Sequence, residues 1–139
     1  MWNDIALVLG AYLLGSVPHL AALAKLRRLN LDGDLHINLW LRGGRLLGST
    51  GILIDLAKGA LPVLIGKSLG FDLLVVTLAG LAVVSGQMWP IFSRFDGEKG
   101  NSTGLAMAGA LAPTPFLIAL VPIIIGVAVR TLPRLLDSR

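Results

Sequence analysis

The sequence predicts an all-α integral membrane protein with about five transmembrane or partial-span helices, the N-terminus outside and the C-terminus cytoplasmic. Three observations carry that expectation. The 139 residues are 55% hydrophobic and only 14% charged, with a mean hydropathy of +0.79, more apolar than an ordinary soluble domain. Apolar runs of about 20 residues recur, and about 20 residues of helix reach the ~30 Å of a hydrocarbon core. Nothing alternates with the period of two that a membrane barrel needs, and backbone groups in lipid must be satisfied internally, so the runs read as helices. The chain has no cysteine, which excludes disulfides and thiolate metal sites. Its net charge of +4 sits at helix ends and not in a stripe, which argues against nucleic acid and for anionic lipid or an anionic substrate. One membrane-embedded domain over residues 1–139 is expected, with spans at about 5–25, 46–66, 71–92, 104–112 and 116–130.

The first span is Ile5 to Ala24, IALVLGAYLLGSVPHLAALA. Ala22-Leu23-Ala24 looks like a signal-peptidase site, but the N-terminus carries Asp4 and no Lys or Arg, while Lys25, Arg27 and Arg28 follow the run. A signal peptide needs its positive charge on the other side, so an uncleaved span is expected, and the positive-inside rule puts residues 25–45 in the cytoplasm. That segment holds Arg27, Arg28, His36, Arg42 and Arg45 among Asn30, Asp32, Asp34 and Asn38. It reads as a loop with room for a short interfacial helix around Trp40, a residue expected to anchor at headgroup level. Arg42 and Arg45 flank Gly43-Gly44, where guanidinium groups and backbone N–H groups suit a phosphate.

The second span, Leu46 to Gly66, contains Asp55, Lys58 and Pro62. Charges at i and i+3 share a helix face, and intramembrane charges are a functional hypothesis by default; the plainer reading is mutual neutralisation inside a bundle. The third span runs from Phe71 to Phe92, with Gln87 on its polar side. Beyond it lies GQMWPIFSRFDGEKGNST, residues 86–103, which places Arg94, Asp96, Glu98 and Lys99 among small residues at a membrane edge. Residues 104–129 are interrupted by Pro113-Thr114-Pro115. A partial span, a turn at the prolines and a returning helix bring Arg130, Arg134 and Arg139 back to the cytoplasm.

Four ordered motifs carry a resemblance: Gly15-Ser16-Val17-Pro18; Asp55-Leu56-Ala57-Lys58-Gly59; Gly86 with Pro90, Phe92 and Phe95; and Gly97, Lys99, Gly100 and Thr103. They resemble the bacterial acyl-phosphate:glycerol-3-phosphate acyltransferases over roughly residues 5–130, whose motifs read G-S-x-P, D-x-x-K-G and G-H-x-x-P-x-F-x-x-F-K-G-G-K-G-V-A-T. Of that family's phosphate-cradling G-S-G-N-x-G-A-T-N loop only Asn38 has a counterpart. The motif His is Gln87, and F-K-G-G-K-G has become FDGEKG with Asp96 and Glu98. The family's further C-terminal helices have no counterpart in these 139 residues.

The resemblance implies transfer of a fatty acyl group from acyl phosphate to the hydroxyl of glycerol 3-phosphate in phospholipid synthesis, at the cytoplasmic side of the bacterial inner membrane. It implies Ser16, Lys58, Gln87 and Lys99 as the catalytic set and Asn38, Arg42, Arg45, Asp55, Gly97, Gly100 and Thr103 as substrate-binding. Lys58 and Lys99 would bind phosphate, Ser16 and Asn38 would hydrogen bond, and Thr103 with the Gly97 to Gly100 backbone would donate to an oxyanion or phosphate. An acyl phosphate is already activated, so no covalent intermediate, cofactor or metal is expected. His19, one turn from Ser16, reads as a base or, more plainly, an ordinary hydrogen-bonding residue; His36 carries less. The alternative is a non-catalytic membrane paralogue that binds lipid or a partner protein. A small transporter lacks the duplicated halves that would support it. Oligomeric state is left open.

Overall fold

The computed structural model describes residues 1–29 and 33–136, with side chains described through Thr131. Asn30 and Asp32 of the polar loop and the expected cytoplasmic Arg139 lie outside the described residues, as does the side chain of Arg134. Among the described residues seven α-helices follow in order: α1 (Trp2–Ser16), α2 (His19–Leu26), α3 (Leu35–Leu41), α4 (Arg45–Ser68), α5 (Leu73–Met88), α6 (Asn101–Leu111) and α7 (Pro113–Leu136). There is no strand among the described residues. Among the described residues four stretches are long and apolar enough to cross a membrane: Trp2–Leu26, Arg45–Ser68, Leu73–Ser93 and Pro113–Thr131. The 11-residue α6, about 16 Å long at 1.5 Å per residue, is too short to be one of them.

The first span differs from the uninterrupted helix expected. It breaks at Val17-Pro18 because proline has no N–H to give and its ring clashes with the preceding turn. The polar loop holds α3, whose N-cap Asp34 accepts from the N–H groups of His36 and Ile37. Trp40 is partly exposed, and its ring lies over Gly48 of α4. The chain breaks again at Ala112, with Pro113 and Pro115 in the first turn of α7, where a missing N–H costs nothing. The Lys67 ammonium at the end of α4 donates to the Ala110 and Leu111 carbonyls at 2.8 and 2.6 Å, groups that the end of α6 leaves without helical partners.

Small residues set the helix spacing, as expected where lipid removes most of the hydrophobic drive between helices. A Cβ on Gly15 would run into the Val83 carbonyl, and one on Gly86 into the Tyr12 carbonyl. That close α1–α5 crossing encloses Ala11, Ala79 and Val83. On the other side of the bundle Gly59 of α4 lets the Thr103 backbone of α6 approach in the same way. A second cluster, Leu20, Ala24, Leu35 and Leu39, fastens α2 to α3. Phe116 of α7 packs on Gly109 of α6, and the most apolar window of α7 buries nothing.

Candidate functional site

The break at Pro18 strips helical partners from nearby carbonyls, and Lys58 fills the gap. Its ammonium, on a side chain only 5% exposed, donates to Gly15 O at 2.8 Å, Val17 O at 3.0 Å and Gln87 Oε1 at 2.8 Å. His19 Nδ1 stands 3.2 Å away. The Gln87 amide nitrogen in turn donates to Asp55 Oδ1 at 2.8 Å, so one amide bridges a buried ammonium and a buried carboxylate. Asp55, 1% exposed, also meets His36 Nε2 at 2.6 Å through Oδ2. His19 Nε2 lies 3.0 Å from Asp55 Oδ1 but out of line for a hydrogen bond. Four helices thus meet in one polar chain, Lys58–Gln87–Asp55 with two imidazoles. A charge pair desolvated to this degree is sustained only when such extra hydrogen bonds complete it.

The stretch 86–103 is laid against this network by its backbone. A single 3-10 turn, Ile91–Ser93, is followed by Arg94 and Phe95 at positive φ. The Phe95 N–H donates back to Pro90 O at 2.9 Å and the Glu98 N–H to Gln87 O at 3.1 Å. A side chain at Gly97 would strike that same Gln87 carbonyl, and Gly100, at φ +69°, turns the chain into α6. Between this loop, the broken first span and the start of α3 lies an open cavity of about 700 Å³. Ser16, Pro18, His19 and Lys25 line one wall, and Asp34, Gln87, Asp96, Gly97, Glu98 and Lys99 the rest.

Charge at the rim is mixed. Lys99, 76% exposed, is 3.3 Å from Asp34 Oδ2. His36 Nδ1 stands 4.0 Å from Asp34 Oδ1 and 3.9 Å from Glu98 Oε2. Against the upward push of burial, the Ile37 N–H and Lys99 hold the Asp34 carboxyl below its ordinary pKa. The bond to Asp55 raises the pKa of His36, opposed by burial, and burial foremost raises that of Glu98.

Of the residues singled out in the sequence, Ser16, Gln87, Gly97 and Lys99 line the cavity. Asp55 and Lys58 lie beneath it, tied to Gln87. The Ser16 hydroxyl donates to Tyr12 O at 2.9 Å, within its own helix. Asn38, Arg42 and Arg45 are not among the lining residues, and both arginines are exposed. Thr103 is fully buried at the α4–α6 contact, its hydroxyl without a hydrogen-bond partner. What sequence reasoning undervalued is the pair of histidines: each reaches Asp55 from a different helix. The one local signal was Asp34, a capping residue two positions before His36; no spacing rule joins residues 19, 36 and 55.

Comparison with known proteins places these motifs in context. The family model described as glycerol-3-phosphate acyltransferase matches residues 5–135. The glycerol-3-phosphate acyltransferase of Geobacter metallireducens is 38% identical over 123 residues, covering 85% of this chain and 63% of the relative. The crystal structure of PlsY (YgiH), an integral membrane glycerol 3-phosphate acyltransferase, in its glycerol 3-phosphate form superposes with a TM-score of 0.79 at 34% identity, covering 91% of this chain and 66% of that one. Its lysophosphatidic acid form gives 0.76 at 36% identity, over 86% and 62%. The chain spans about half to two thirds of the length of the curated relatives it matches.

Proposed function

The chain belongs to the glycerol-3-phosphate acyltransferase family, and on that premise we propose that it transfers a fatty acyl group from an acyl phosphate to a hydroxyl of glycerol 3-phosphate, giving lysophosphatidic acid. The observation that best supports this reading is convergence. Gly15 to Pro18, Gln87 and Gly97 to Lys99, far apart in sequence, all line one cavity, and the Asp55–Lys58 motif braces its floor.

In the proposed reaction the glycerol 3-phosphate hydroxyl attacks the acyl carbonyl. The ester bond forms, the carbonyl–phosphate bond breaks, and the hydroxyl proton leaves on the phosphate. The nitrogens of His19 are turned toward Lys58 and Asp55, which favours the departing phosphate over an enzyme base as proton acceptor. Lys25 and Lys99 are the cations that line the cavity and suit the phosphate groups. Lys58 spends its donors on protein oxygens and holds the broken helix and Gln87 in register. Gln87 in place of the family's histidine fits that bridging task, since a neutral imidazole and an amide each offer one donor and one acceptor to opposite partners. A groove of about 200 Å³ between α1 and α4, lined by Leu7, Gly10, Leu14, Leu61 and Ile65, suits part of an acyl chain. Lys25, Arg27, Arg28, Arg42 and Arg45 flank the connections on the cavity side, which supports a cytoplasmic site, N-terminus out and C-terminus in, in the bacterial inner membrane.

Three cavity carboxylates, Asp34, Asp96 and Glu98, favour a second reading: a non-catalytic paralogue that binds lipid or a partner. A product assay separates the two. Purified protein given acyl phosphate and glycerol 3-phosphate is expected to form lysophosphatidic acid, detected by mass spectrometry, and Lys99→Ala to raise the KM for glycerol 3-phosphate tenfold or more. No product, with anionic lipid still bound and no thermal protection by glycerol 3-phosphate, establishes the paralogue.

A further inference from the structure

A cavity meant for two phosphate-bearing substrates is lined here by three carboxylates against two ammonium groups, and one of those, Lys99, is already beside Asp34. An entering phosphate dianion meets repulsion unless further positive charge is present. Asp34 and Glu98 of that lining and His36, just behind them, each offer one ligand atom, all within 4.8 Å of one another. His36 Nε2 is held at 2.6 Å by Asp55 Oδ2, a fully buried carboxylate outside that trio. That contact orients the ring and leaves Nδ1 facing the two rim carboxylates at 4.0 and 3.9 Å. A carboxylate that fixes one nitrogen while the other faces acidic groups is the arrangement found behind metal-ligating histidines.

We propose that Asp34, His36 and Glu98 bind one first-row divalent cation of the Zn²⁺ or Mn²⁺ kind, with open coordination positions that face the cavity and accept a phosphate oxygen. An imidazole with two carboxylates selects such ions over Mg²⁺ and Ca²⁺, which prefer oxygen ligands throughout. Metal–ligand bonds of about 2.0–2.2 Å place adjacent ligand atoms roughly 3–3.5 Å apart, so the trio, now within 4.8 Å, closes when its separations shorten by at most roughly 1.3–1.8 Å. Asp34 keeps Oδ1 on the His36 and Ile37 N–H groups, at 3.0 and 3.3 Å, and turns Oδ2 to the ion. Lys99, displaced from Oδ2, is exposed and free to reach the phosphate. The cation converts an acidic wall into an anion-binding one. The identity of the anion rests on the acyl-transfer reading; the binding of the cation does not.

The test uses the tag-free full chain in detergent, stripped with chelator and titrated with Zn²⁺ or Mn²⁺ alone by calorimetry. One ion per chain with a micromolar or tighter Kd is expected. Glu98→Gln and His36→Gln each weaken it tenfold or more, and Lys99→Ala leaves it unchanged or tighter. Glu98→Gln is decisive, because His36→Gln also removes a bond to Asp55 and can disturb folding. Absence of stoichiometric binding, which would leave Nδ1 to a proton, or equal affinity in Glu98→Gln, overturns the site. Lysophosphatidic acid formed by protein that binds no ion removes the cation site alone; ion bound without product removes the acyl-transfer reading alone.

Discussion

Replacing Lys58 by methionine keeps most of the side chain's volume and removes its charge and three donors. Gly15 O, Val17 O and Gln87 Oε1 then lose the hydrogen bonds they receive at 2.8, 3.0 and 2.8 Å, and Asp55 loses the cation it meets through Gln87. Each buried acceptor left unpaired costs about 1–3 kcal/mol, and removing one partner of a buried ion pair costs about 3–5 kcal/mol in all. The two figures count the same atoms, so about 3–5 kcal/mol is the expectation, roughly 10–20 °C in Tm for a chain of this length. Thermal unfolding in detergent, followed by circular dichroism, measures it. Gln87→Leu and the double variant complete a cycle: with the bridge already gone, Lys58→Met should cost at least 1 kcal/mol less. A Lys58→Met protein that melts within about 2 °C of the parent while its KM for glycerol 3-phosphate rises tenfold would refute the clamp and return Lys58 to the substrate.

Three further outcomes are expected. Gly15→Ala and Gly86→Ala push a methyl group into the facing backbone of the α1–α5 crossing and should each destabilise by about 1–3 kcal/mol or more, whereas Gly126→Ala, which meets nothing within 4 Å, should leave Tm unchanged. Lys67→Met uncaps the Ala110 and Leu111 carbonyls and should cost about 1 kcal/mol, visible as faster hydrogen exchange confined to residues 108–116. Arg42→Ala and Arg45→Ala, exposed and away from the cavity lining, should change the KM for glycerol 3-phosphate less than twofold; a tenfold rise in either would bring the α3–α4 turn into the site.

The lipid-spanning helices were legible because bilayer thickness imposes a run length that hydropathy alone displays. Helix breaks were less so. Pro18 lies within a run apolar enough to pass for one helix, and whether a proline kinks or breaks a helix depends on who takes the freed carbonyls. Here Lys58 takes them, from 43 and 41 residues away in the chain. Arg42 and Arg45 looked like phosphate ligands through their neighbours Gly43 and Gly44, but the direction of a side chain at a helix boundary follows from packing, and both stand exposed outside the cavity's lining.

By itself, then, the sequence determined the membrane class, the all-helical architecture and the set of motifs that mark the family, all of which follow from local composition and short spacings. Only the tertiary structure decided that Asp55 bonds His36 with His19 close beside it, that Gln87 rather than direct contact joins Asp55 to Lys58, and that Glu98 comes to face Asp34 and His36. Those pairings depend on how closely backbones approach at Gly15, Gly86 and Gly59, and a buried charge accepts whichever partners that approach brings within about 3 Å, however distant they are along the chain.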